Sequence, residues 1–151
     1  MDKYNISAIT TYQAGAAQAS MHRALQKKCD EILKPFGITK MQWLIIGTVM
    51  EGAADGVRIS DLATELSTTV PYLTTTINLL ESKHILERKD NTSDSRSKLI
   101  RVSPAFAQQC SKIEATLRDG LRKTIYSQVK PKDFHTYIKV LVQLSEANKN
   151  V

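Results

Sequence analysis

Apolar side chains recur along the chain in steps of three and four, interrupted by polar and Pro/Gly clusters. Residues 4–34 contain no proline. Ile9, Tyr12, Ala16, Leu25, Cys29 and Ile32 or Leu33 mark one face of a long helix. A helix of that span reaches about 45 Å, long enough to cross between two modules or two subunits. Pro35-Phe36-Gly37 breaks it, and Thr39 is placed to cap a second helix that Gly52 ends. The spacing predicts Met41, Leu44, Ile45, Thr48 and Val49 as its buried stripe, with Trp43 and Ile46 beside it. Val57-Arg58-Ile59 is long enough only for a β-bridge. Ser60 then caps a short helix, Asp61 to Leu66, and Leu62, Ala63 and Leu66 face inward.

A turn at Ser67-Thr68 leads to a further helix, capped by Thr69 and starting at Val70, with Pro71 in its first turn. Leu73, Ile77 and Leu80 face inward, and Tyr72, Thr75 and Asn78 face away. The helix ends near Lys83, where His84 stands at a position suited to a left-handed backbone. Residues 85–89 and 98–102 read as two strands joined by the polar turn 90–95. From Pro104, Phe106, Cys110, Ile113, Leu117, Leu121 and Ile125 define a second long helix. Pro131 breaks it, and Phe134, Ile138, Leu141 and Leu144 or Ser145 define a last one, flanked by Tyr137. The middle of the chain is therefore a helix-turn-helix followed by a hairpin, a winged helix. The expected class is mainly α with a small β-hairpin. The outer helices must pack on each other, on a second copy, or on both.

The 151 residues suit a single domain, and 42% hydrophobic with 24% charged residues is ordinary for a globular protein. No apolar run is long enough for a membrane span and no signal peptide is recognised, so the expected setting is cytoplasmic, without a membrane partner. Cys29 and Cys110 are far apart, which leaves neither a disulfide framework nor a cysteine-based zinc site. Both fall on apolar stripes and read as buried, inert thiols. The histidines His22, His84 and His135 have no metal-ligand spacing. No phosphate-binding glycine motif or nucleophile elbow occurs. An enzyme is not expected, and no cofactor or metal is called for.

The net charge of +6 permits a polyanionic partner. However, residues 58–101, with seven bases and six acids, contribute only +1. If this module binds nucleic acid, a few well-placed cations must do the work. The helix after Thr69 reads either as a surface helix or as a recognition helix whose Thr and Tyr side chains reach phosphates and base edges. It has no Arg or Lys before Lys83. The hairpin reads either as a solvated turn or as a wing that sets Arg96 in the minor groove, with Arg88, Lys89 and Lys98 near phosphates. A winged helix used only for protein–protein contact is the rival reading, and the small lobe charge sustains it.

Three stretches carry a family resemblance. They are Phe36-Gly37-Ile38-Thr39-Lys40-Met41-Gln42-Trp43; Ile59-Ser60-Asp61-Leu62-Ala63 through Leu79-Leu80-Glu81-Ser82-Lys83-His84-Ile85-Leu86-Glu87-Arg88; and Asp94-Ser95-Arg96 followed by Leu99-Ile100-Arg101-Val102-Ser103. In order and spacing the chain resembles the MarR family of bacterial and archaeal transcription regulators. The resemblance implies a homodimer that binds an inverted repeat in double-stranded DNA, acting as a repressor. It implies a DNA-binding lobe over residues 39–103 and dimerisation helices over 1–34 and 104–151. It places Thr69, Pro71, Tyr72, Thr74 and Thr75 toward the groove and Arg96 on the wing. It also implies a pocket for a small aromatic or other effector near His22, Arg23 and Trp43. The chain departs from the family at His84, where Gly is usual, at Thr75, where Arg is common, and at Pro104-Ala105-Phe106. It also lacks the early cysteine of the peroxide sensors.

Overall fold

The computed structural model describes residues 5–149. Its elements are α1 (Thr11–Leu33), α2 (Lys40–Glu51), α3 (Ile59–Glu65), α4 (Val70–Ser82), β1 (Leu86–Asp90), β2 (Lys98–Val102), α5 (Pro104–Thr124) and α6 (Pro131–Ala147). The order is the one read from the sequence. Several boundaries differ, and local hydrogen bonding explains each.

The first helix starts at Thr11, not near residue 4. Thr10 caps it by accepting from the Gln13 backbone N–H (3.3 Å), while the Gln13 side chain accepts from the Thr10 N–H (3.1 Å). This reciprocal box fixes the start. Residue 4, the beginning of the expected span, lies outside the described residues. Gly37, at φ +73°, turns the chain out of the tight turn that follows α1.

Thr39 caps α2 as expected, through an equivalent box with Gln42. The buried stripe is Gln42, Ile45, Ile46 and Val49, so Ile46 replaces Leu44 among the buried positions and Leu44 is exposed. Most of α2 is apolar, which leaves little contrast for periodicity to read. The cap fixes the helix start and its phase. A 2.6 Å bond from the Lys40 N–H to the Asp30 carboxylate ties this start to the end of α1.

The third helix begins at Ile59, with Arg58 at the cap position, so Ser60 lies in the first turn and is not the cap. The bridge just before it accounts for the early start. Val57 and Ile100 exchange backbone hydrogen bonds, each of 2.8 Å. Thr69 caps α4 as expected, and Leu73, Ile77 and Leu80 are fully buried. His84 does adopt the left-handed conformation (φ 59°).

The hairpin is antiparallel, with Leu86 opposite Val102 and Asp90 opposite Lys98. The first strand starts one residue later than expected. The backbone of Ile85 is already engaged: its N–H donates to Leu80 O, ending α4, and its carbonyl accepts from the Ser103 N–H.

The core lies where the end of α1, helices α2–α4, the base of the hairpin and the first half of α5 meet. Leu33, Ile45, Ile46, Leu73, Ile77, Leu80, Ile100 and Ile113 have no exposed surface. Phe106, Cys110 and Leu117 continue the core along α5. The outer regions contrast with this. Helix α6 has no buried residue, and Ile138, Leu141 and Leu144 of its expected stripe are exposed. Tyr12 and Ala16 on α1 are exposed as well. Within one chain, then, the outer stripes are largely uncovered. The far end of α6 returns to the winged section, where Lys149 Nζ pairs with both Glu65 oxygens (3.1 and 3.2 Å) and with Glu146 (2.8 Å).

Gly56 stands beside the bridge at φ +114°, and a Cβ there would lie 2.8 Å from Ile100 O. Both strain and collision therefore oppose a side chain. Gly56→Ala is expected to lower stability by about 1–3 kcal/mol. Urea denaturation checks this, and an unchanged midpoint would contradict it.

Candidate nucleic-acid interface

Two surfaces of the winged section combine exposure with groups that can meet a polyanion. The first is the start of α4. Thr69 uses its hydroxyl to accept from the Tyr72 N–H (3.4 Å), which sets the first turn. Val70, Pro71, Tyr72 and Thr75 are exposed, and Thr74 is half-buried. Val70 was not singled out from the sequence. Its exposure at the first helical position is the missed signal, since an apolar residue there reads as core by default.

The three threonines of the second turn share one arrangement. Thr74 Oγ1 donates to Val70 O (2.9 Å), Thr75 Oγ1 to Pro71 O (3.2 Å) and Thr76 Oγ1 to Tyr72 O (3.2 Å). Their hydroxyl protons are turned back to the helix.

The second surface is the hairpin tip, which is a built turn. Asn91 is buried, and its side chain accepts from the Ser93 N–H (3.1 Å) and donates to Ser97 Oγ (2.9 Å). The Asp94 carboxylate accepts from the Arg96 N–H (3.0 Å). Asp94 thus orients Arg96 through the backbone. The Arg96 side chain is exposed and has no ion-pair partner among the described residues.

The other sequence-selected cations stand differently. Arg88 is held by Glu81 and, at 2.9 Å, by Asn78 Oδ1, so it ties β1 to α4. Lys98 pairs with Asp90 across the hairpin, and Arg101 pairs with Glu87. Lys89 is exposed and without such a partner among the described residues.

The three expected pocket residues do not converge. Trp43 is half-buried and lines a groove of about 500 Å³ with Leu44, Met50, Cys110, Glu114 and Arg118. His22 and Arg23 are exposed on α1 and do not line that groove. A larger hollow of about 870 Å³ lies between α5 and α6, lined by Leu117, Leu121, Tyr126, Val129 and Phe134 among others. Nothing in the sequence pattern marked it, because its lining comes from α5, the segment 126–129 and the start of α6 together.

Residues 39–98 match the model of the MarR family. The winged lobe is thus similar to that of the MarR family. The fold of the whole chain agrees. AbsC, a MarR family transcriptional regulator from Streptomyces coelicolor, superposes with a TM-score of 0.79 at 22% identity, over 95% of this chain and 98% of that one. MepR of S. aureus, solved as a complex with DNA, gives 0.76 at 21% identity over 92% and 98%. CouR from Rhodococcus jostii, bound to p-coumaroyl-CoA, gives 0.77 at 17% identity over 91% and 94%.

Within this MarR fold both cysteines are buried. Burial pushes each thiol pKa up, opposing the reactive thiolate. Among the described residues no helix is long and apolar enough to cross a membrane. No group of three or more possible metal-binding side chains occurs among them either.

The thiols give a pH test. Their raised folded-state pKa means that burial stabilises fully below the unfolded value of about 8.5 and that this contribution is lost as pH rises above it. Iodoacetamide at pH 8 should label the native protein far more slowly than the urea-unfolded chain, and stability should fall above pH 9. Equal labelling rates would contradict the buried-thiol account.

Proposed function

We propose that the protein is a homodimeric, sequence-specific transcription regulator that represses by occupying an inverted-repeat operator in double-stranded DNA. The start of α4 enters the major groove through Thr69, Pro71, Tyr72 and Thr75, with Thr74 at the margin. The wing sets Arg96 in the adjacent minor groove. The observation that carries this reading is the state of Arg96: exposed, unpaired among the described residues, and set on a turn built by Asn91, Asp94 and Ser97. Guanidinium loses water more readily than ammonium, so it suits a narrow groove of high negative potential. Lys89 and Lys98 add phosphate contacts, Lys98 by exchanging Asp90 for a phosphate. Arg88 acts indirectly, by holding the wing against α4.

The uncovered apolar stripe of α6 supports the dimer. Isolated exposed apolar residues are normal, but a stripe along one helix marks an interface. Residues 1–34 and 104–151 supply that interface in this reading. A small aromatic effector in the groove beside Trp43 would act between the winged lobe and α5, because α2 and α5 form the groove together. The binding of p-coumaroyl-CoA by CouR supports an effector of that class. His22 and Arg23 stand outside the groove and have no part in it within one chain.

Arg96→Ala should weaken operator binding at least tenfold, about 1.4 kcal/mol. It should also make the salt dependence shallower by about one unit per lobe, since one phosphate-neutralising cation is lost from each. Arg96→Lys should restore only part of the affinity. Titrations of labelled operator at several salt concentrations check this. Wild-type affinity for Arg96→Ala at physiological salt would overturn the wing contact.

A further inference from the structure

We infer that α4 selects A·T pairs by their thymine methyl groups and does not read guanine. This rests on the proposed function, and names the class of half-site that the same surface takes.

Guanine is most often recognised by an Arg or Lys that donates to its O6 and N7. Helix α4 has neither residue along its whole length. Lys83, just beyond it, donates to Gly37 O (3.0 Å) and holds the end of the helix to the loop before α2. Asn78 could read adenine through its side-chain amide, but its Oδ1 is taken by Arg88. The usual bidentate readers of purines are therefore missing or committed.

What the first two turns present is largely apolar, the Tyr72 hydroxyl apart. Val70 and Tyr72 are 44% and 46% exposed, and Pro71 lies between them. Thr75 is exposed with its hydroxyl turned back to Pro71 O. A threonine Cβ bears one hydroxyl and one methyl, so folding the hydroxyl onto the helix leaves the methyl outermost. The hydroxyl oxygen, having given its proton, can only accept.

In the major groove, a methyl and an amino donor occur together only on an A·T pair, as the thymine C5-methyl and the adenine N6 amino group. A G·C pair offers a cytosine amino group but no methyl. Its guanine O6 and N7 are acceptors that meet no Arg or Lys on this surface; the side-chain donors there, the Thr69 and Tyr72 hydroxyls, are single O–H groups that cannot make the bidentate contact. The chemistry of Val70, Tyr72 and Thr75 thus matches thymine-containing half-sites. Thr75 is the specificity-determining residue, because it offers a methyl and an acceptor at one point.

The test starts with selection of duplexes from a random pool by the full-length protein. On the selected site, each thymine of one strand is then replaced by deoxyuridine, which removes the methyl and keeps base pairing. Selected half-sites should be rich in A·T. At least one replacement per half-site should weaken binding by about fourfold, the worth of one methyl withdrawn from water. Replacing guanines by 7-deazaguanine should change nothing. Thr75→Ser, which keeps the hydroxyl and loses the methyl, should abolish the uracil penalty at one position, and Thr75→Val should keep it. Selection of guanine-containing half-sites with a 7-deazaguanine penalty and no uracil penalty would overturn the inference and leave the regulator reading intact. Failure to enrich any sequence would defeat both.

Discussion

The backbone pairing of Ile100 with Val57 holds the winged section together. Ile100 is fully buried, yet it belongs to the return strand of a hairpin whose tip is exposed. Its two 2.8 Å bonds to Val57 join that strand to the segment just before α3, and its cross-strand partner is Arg88. Arg88 reaches Glu81 and Asn78 on α4. One buried residue and its neighbour thus connect the wing to both helices of the helix-turn-helix. The wing base is part of the core, while the tip is free to meet a ligand. This division lets Arg96 be exposed and still be fixed in position.

The same arrangement accounts for the small net charge of the winged section. Arg88, Lys98 and Arg101 each have an acidic partner in it. Pairs as open to solvent as these, Lys98–Asp90 most of all, add little stability. Their effect is to decide which cations stay available. Arg58, Lys89 and Arg96 are unpaired among the described residues, and Arg96 alone stands on the turn of the wing. A charge count over residues 58–101 therefore understates what the surface can offer to DNA, because it averages committed and uncommitted groups.

Much of the architecture was legible in the sequence because strong apolar periods and a few caps agree. Thr39, Thr69 and the Leu73–Ile77–Leu80 stripe act locally, and local chemistry is what a sequence displays. The errors arose where a distant contact decided a boundary or a phase. The start of α3 is set by the pairing of Val57 with a strand more than forty residues away, and Ser60 loses its expected place as cap. Ile85 is taken from the strand by bonds to Leu80 and Ser103. Among the candidate site residues, the exposed positions of Tyr72 and Thr75 on α4 and of Arg96 at the hairpin tip could be read from spacing. The commitment of Arg88 to α4 could not, since it depends on how the hairpin folds back over a helix. The separation of His22 and Arg23 from Trp43 likewise follows from the packing of three helices.

The central claim is that two copies of this lobe read one face of duplex DNA, each with a helix in the major groove and a wing in the minor groove. Hydroxyl-radical footprinting on the selected site tests it most directly. The account predicts two symmetric protected patches whose centres are separated by about one helical turn, 10–10.5 base pairs, or a multiple of it. Flanking minor-groove protection should disappear when Arg96 is replaced by Ala, while the central pattern remains. A single patch without two-fold symmetry, or flanking protection that survives the loss of Arg96, would contradict it.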